Sequence, residues 1–165
     1  MLCLIARLDQ ESPVQLDRLR SAAGASPRPL HGHITVATYT GKDEDVFTTA
    51  CRELAAGLPA FEVRYRRIEV LEETSIIVAT PEAGEPLRTL HRRISDRFGD
   101  SLDRWTAGNA WTPHTTLIYD PDADLHALCR KISEQFSPFT AQISTLEFSR
   151  VLDRGYETAG SILLR

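Results

Sequence analysis

Two segments of this chain, HITV at residues 33–36 and HTTL at 114–117, share the pattern His-x-Thr-apolar and stand half a chain apart. Their surroundings repeat as well. After the first, Val46, Phe47, Ala50, Cys51 and Leu54 fall on one helical face, and Pro59 and Phe61 lead into an alternating strand. After the second, Leu125, Leu128, Cys129 and Ile132 form the stripe and Pro138-Phe139 open the strand. Ile68 and Val70 then correspond to Leu146 and Phe148. Such a chain must fold as two copies of one supersecondary unit.

Periodicity and end signals give the unit its elements. Residues 2–8 alternate as a strand, and ESPVQLDRLRSAAG reads as a helix ending near Gly24, with Ser12 as N-cap, Pro13 in the first turn and Gln15 at the capping-box position. The His33 strand, a helix at about 43–57 and a strand at about 60–71 follow. The second copy runs through TSIIVAT, a helix at about 84–98, the His114 strand, a helix at 123–136 and a strand near 139–150, with an extra strand near 156–164. The expectation is an α+β fold of one bilobal domain over residues 1–165, with a first repeat at about 1–72 and a second at about 73–165.

In a strand, residues i and i+2 share a face, which stands His33 beside Thr35 at about 7 Å, and His114 beside Thr116, while Ile34, Val36, Thr115 and Leu117 face the other way. A lone histidine in a half-buried strand is most often structural. Two of them at equivalent positions argue for chemistry, because a pseudo-two-fold axis would aim both His-Thr faces at one groove. Tyr39 shares the His33 face on strict alternation, about 20 Å along the strand. His31 shares it if the strand begins early, and Gly32 would allow close approach of a ligand to the backbone.

Composition narrows the partners. Hydrophobic residues make up 42% and charged residues 25% of the chain, with no apolar run near the roughly 20 residues of a membrane span. The net charge of −4 and the sequence pI of about 5.7 argue against a broad basic surface for long nucleic acid, while leaving room for a short or small anionic ligand. The opening MLCLIARLD reads as a first strand and not as a secretory signal, so a soluble, cytoplasmic monomer is expected. Cys3, Cys51 and Cys129 lack metal-ligand spacing and an even count, and the last two read as core helix residues.

The paired HITV and HTTL motifs on equivalent strands of a duplicated α+β unit resemble the two-histidine phosphoesterase superfamily, which includes 2′-5′ RNA ligase-like proteins and cyclic nucleotide phosphodiesterases. The resemblance covers nearly the whole chain. It implies two pseudo-symmetric lobes with antiparallel sheets around a central groove, His33 and His114 as the catalytic pair, and Thr35 and Thr116 as phosphate-binding hydroxyls. It also implies a metal-independent phosphodiesterase, without cofactor, acting on 2′,3′-cyclic phosphate or 2′-5′ bonds in RNA 3′ ends or small nucleotides. End joining and binding without turnover are the alternatives. The chemistry is sound without the name: one imidazole can take a proton from the attacking oxygen while the other protonates the leaving oxygen. Threonine hydroxyls can donate to the non-bridging oxygens.

Other features carry less. Trp111, in the loop that delivers the chain to His114, is a candidate for stacking on a base. The run RYRR puts Arg64 and Arg66 on one strand face and Arg67 on the other, a pattern that more often marks a solvated face than a phosphate clamp. Its counterparts Gln142, Ser144 and Thr145 are uncharged. His91 and His126 read as structural or solvated. No Gly-rich phosphate loop, H-E-x-x-H or G-x-S-x-G occurs.

Overall fold

Alternating burial turns each β-branched run into a strand, and the chain order is β1 (Leu2–Leu8), α1 (Ser12–Ala22), β2 (His33–Tyr39), α2 (Glu44–Ala55), β3 (Phe61–Val70), β4 (Ile76–Glu82), α3 (Glu85–Phe98), β5 (Thr115–Tyr119), α4 (Leu125–Ser133), β6 (Phe139–Val151) and β7 (Tyr156–Leu163). The structure is a computed structural model that describes residues 1–25, 32–71, 73–82, 84–153 and 155–165. His31 lies outside the described residues.

The expected elements are present with shifted ends, and one cap differs. Ser12 lies inside the first turn of α1, whose start is held by Asp9: its carboxylate accepts from the backbone N–H groups of Glu11 and Ser12 at 2.9 and 2.8 Å and from the Ser12 hydroxyl at 3.1 Å. A carboxylate three residues upstream answers the same unpaired donors that a serine cap would. Val46, placed on the buried face of α2 by its spacing, is exposed, whereas Phe47, Ala50 and Cys51 are buried.

All strands join one antiparallel sheet in the order β2-β1-β6-β3-β4-β5, with β7 on the remaining edge of β6. Exchanging β1 with β4, β2 with β5 and β3 with β6 returns the same path, so the duplication in sequence is a two-fold relation in the sheet. The halves are also interleaved. The last strand of each unit pairs with the first strand of the other, β6 with β1 and β3 with β4, and β3 and β6 pair across the middle. The helices cross over too: α1 packs on β5 and α3 on β2.

The apolar interior is anchored by aromatic rings. Phe47 stacks on Tyr39 at 4.5 Å and meets Phe98 and Phe148 edge-on at 5.3 and 6.5 Å. Phe47→Ala is expected to destabilise the fold by about 3–5 kcal/mol, read as a lower urea midpoint at constant slope.

Candidate active site

Both His-Thr strands carry a β-bulge at the same motif position. Along β2 the pairing steps from Ala37 opposite Leu4 to Thr35 opposite Ile5, leaving Val36 as the extra residue. Along β5 it steps from Ile118 opposite Ile77 to Thr116 opposite Val78, leaving Leu117 extra. A bulge interrupts alternation, and here Val36 and Ala37 are both buried, as are Leu117 and Ile118. Tyr39 consequently leaves the His33 face expected from strict alternation and enters the core at 6% exposure.

Each bulge is held by the crossing helix. Arg20 of α1, itself buried, donates from Nε to the Leu117 carbonyl and from Nη2 to that of Thr116, both at 3.1 Å. Its position in α3 is taken by His91, which donates from Nδ1 to the carbonyl of Val36, the counterpart of Leu117, at 3.0 Å. Trp111 stacks on His91 with centroids 4.0 Å apart and donates from its indole to the Thr35 carbonyl at 2.8 Å. One face of that ring is thereby taken up in packing, so a base could use only the other.

The two motifs meet directly. Thr115 Oγ1 donates to the His33 carbonyl at 2.8 Å and receives the buried Tyr65 hydroxyl at 2.6 Å. Burial pushes the Tyr65 phenol up, the Thr115 bond opposing it, which keeps Tyr65 a donor. By motif position alone Thr115 is simply the counterpart of Ile34. The available signal was a hydroxyl at a buried position where the other repeat has a hydrocarbon.

His33, Thr35, His114 and Thr116 are all half-buried, on the faces opposite buried Ile34, Val36, Thr115 and Leu117. Arg7 lies directly across from His33, with Thr145 beyond it. In the other half, Thr80 is the neighbour one residue beyond the Ala79–Thr115 pair, in line with His114, and Arg67 lies across from Thr80. Arg7 donates to Glu147 at 3.2 Å, and the equivalent Thr80 hydroxyl donates to the equivalent Glu69. Arg7 was not singled out in the sequence; only pairing register places a cation beside His33.

His114 donates from Nδ1 to the Thr112 carbonyl at 2.7 Å, which leaves Nε2 as the lone-pair nitrogen of the neutral ring. Burial lowers the His114 pKa below its ordinary value, and the Thr112 bond only partly opposes this. Among the described residues no cluster of His, Cys, Asp or Glu is arranged to hold a metal ion. Cys51 is buried, Cys129 packs at the edge of the core, and Cys3 lies beside Thr38 with Sγ 3.6 Å from Oγ1. Among the described residues no helix is long and apolar enough to cross a membrane.

The family model described as the 2′-5′ RNA ligase superfamily matches residues 8–155. The chain belongs to that superfamily. Solved structures share the superfamily fold at low identity. Thermus thermophilus TT0787 is 18% identical with a TM-score of 0.72, covering 99% of this chain and 97% of that one. Escherichia coli LigT complexed with 3′-AMP is 18% identical at 0.68, with the same coverage. Kluyveromyces marxianus Usb1 is 12% identical at 0.55, covering 95% of this chain and 96% of that one. No curated protein sequence matches the chain.

Two expected outcomes follow from these contacts. Arg20→Met strips two strand carbonyls of their donor and is expected to cost about 2–4 kcal/mol in urea denaturation, since an unpaired buried acceptor costs about 1–3 kcal/mol. For His114 the folded pKa lies below the unfolded value of about 6.5, so the unfolded chain binds more protons and stability falls as pH drops below about 6.5. His114→Gln is expected to flatten that part of the stability–pH curve.

Proposed function

We propose that the chain is a metal-independent phosphodiesterase that opens 2′,3′-cyclic phosphate or cleaves 2′-5′ phosphodiester bonds in RNA ends or small nucleotides. The observation that carries this reading is the meeting of two His-x-Thr strands, bulged at the same residue and clamped by equivalent helix positions, at one hydrogen bond between Thr115 and the His33 carbonyl. Membership of the superfamily supports an enzyme of the phosphoesterase or ligase kind. The LigT structure, a neighbour in fold, is complexed with 3′-AMP, a ribonucleotide whose phosphate sits on one of the two ribose oxygens that a 2′,3′-cyclic phosphate bridges.

His33 and His114 are the acid-base pair and Thr35 and Thr116 hold the non-bridging oxygens. The two histidines take unlike roles. His114, whose Nδ1–H is committed to Thr112 and whose burial favours the neutral ring, is the base that takes a proton from the attacking oxygen at Nε2. His33 is then the acid that protonates the leaving ribose oxygen. Thr35→Val and Thr116→Val would remove hydrogen bonds that persist in the transition state, each expected to lower kcat/KM by about 10–1000-fold.

The division of labour is tested with a nitrophenyl phosphodiester, whose leaving group needs no proton. His114→Ala should abolish its turnover, whereas His33→Ala should cost far less than it does on a cyclic nucleotide. Equal losses from both substitutions would refute the assignment and leave the histidines as electrostatic holders of phosphate. Activity unchanged by EDTA is expected throughout, and loss restored by a divalent ion would refute the metal-independent scheme. End joining through the same groove would register as formation of a 2′-5′ linkage from a cyclic phosphate and a 5′-hydroxyl end.

A further inference from the structure

The pseudo-symmetry of the two halves is broken by an uneven distribution of charge. Along β3 the register steps from Tyr65 opposite Pro81 to Arg67 opposite Thr80, so Arg66 is the extra residue of a third bulge. The equivalent step in β6, from Ile143 to Thr145, makes Ser144 the extra residue of a fourth. The backbone device is the same in both halves, but one copy carries arginines where the other carries Ser144 and Thr145. Strict alternation would put Arg66 and Arg67 on opposite faces. With the bulge, both side chains are exposed between buried Tyr65 and Ile68.

They open into a cleft of about 420 Å³ lined by Arg66, Arg67, Arg88 from α3, Glu82, Trp111 and Thr112. Three arginines and one glutamate are among its lining residues. Arg66 holds Glu82 at 2.9 Å and Arg67 holds Glu69 at 3.2 Å, with the arginine side chains 51% and 67% exposed. Ion pairs this open are weak, and a phosphate competes with a carboxylate for the same fork of donors. Thr112, in the cleft wall, is the residue whose carbonyl holds His114 Nδ1. Arg67 lies two strands from His114 through Thr80, about 10 Å at the strand spacing of ~4.8 Å. That distance is within reach of a long side chain and a ribose.

We infer that this arginine-lined cleft binds a second phosphate group of the substrate, next to the phosphate that reacts between the two histidines. The inference rests on the proposed function for the location of the reacting phosphate. It adds that the preferred substrate is a nucleotide with at least two phosphates. The unequal charge also fixes which way round such a substrate lies in a groove whose backbone is nearly symmetric. Gathering three arginines on the His114 side, against Arg7 across from His33 in the other half, also fits a chain that is acidic overall: the positive charge is concentrated at one subsite, as a short ligand needs and a long duplex does not.

Calorimetric titration of the intact protein tests this. Adenosine 3′,5′-bisphosphate is expected to bind about tenfold more tightly than adenosine 3′-monophosphate, the gain of a charge-assisted hydrogen-bonded phosphate. In R66Q/R67Q, and separately in R88Q, the ratio of the two affinities should fall toward one. In R64Q, an exposed arginine on the same strand that does not line the cleft, the ratio should persist. A ratio near one in the unaltered protein overturns the inference, as does a ratio that survives R66Q/R67Q. A dinucleotide carrying an internal phosphodiester in place of the 5′-phosphate separates the two sources of the second phosphate. Retention of the gain assigns the cleft to an RNA chain, and its loss assigns it to the terminal phosphate of a small nucleotide. Binding and turnover fail separately: an intact ratio with no turnover of cyclic phosphates would refute the proposed activity and leave the cleft assigned.

Discussion

The carbonyl of a bulged residue, Val36 in one half and Leu117 in the other, is the point on which the placement of both His-Thr motifs depends. β2 and β5 are the two ends of the sheet path, and an end strand presents unpaired backbone groups along its outer edge. Here those groups are used. His91 and Arg20 reach from the helices of the opposite half to bind the bulge carbonyls. The loop after α3 completes the β2 edge through Asp103 N–H to the Thr38 carbonyl and Thr38 N–H to the Thr106 hydroxyl, at 2.8 and 3.0 Å. What would be a liability in an open sheet becomes a mount whose position is set from behind by buried side chains.

This mounting separates two tasks that a simple strand would combine. The segment from His33 to Thr35 keeps regular alternation, so the imidazole and the hydroxyl stay on one face, and the bulge begins only at the next residue. The added twist can therefore turn the strand end toward its counterpart without rotating histidine away from threonine. Thr115, bonded to both Tyr65 and the His33 carbonyl, then ties one motif to the other, and only one half carries this tie.

Much of this was legible in the chain. The duplicated motif, the helix stripes and the Pro-Phe strand openings placed nearly every element, because period and end signals are local properties. The partners across the sheet were not legible. Nothing near Arg7 says that it will stand beside His33, and nothing in RYRR says that Arg66 will be extra, since a bulge is decided by the register between strands far apart in sequence. Ser12 differs from its expected cap role for a related reason: its sequence fits a cap, but Asp9 is also tied to the backbone N–H of Gln142 at 2.6 Å, and that tertiary bond fixes where the helix starts. Trp111, a candidate for stacking on a base, turned out to be half committed to His91.

The interleaving of the halves has a consequence for how the molecule comes into being. β1 is made before the other six strands of the sheet, yet its inner neighbour β6, at residues 139–151, is made after all of them but β7. During synthesis the first unit can pair β1 with β2, but the edge that β6 will cover stays open until residue 151 has left the ribosome. Loop-closure entropy then opposes the pairing that completes the lobe, which makes formation of the central sheet slow compared with its hairpins. A nascent chain with an uncovered apolar strand edge is prone to association, and the exposure lasts longest for a stop or a pause after β5. Truncated products of this chain should therefore be cleared or aggregate instead of persisting as half-molecules.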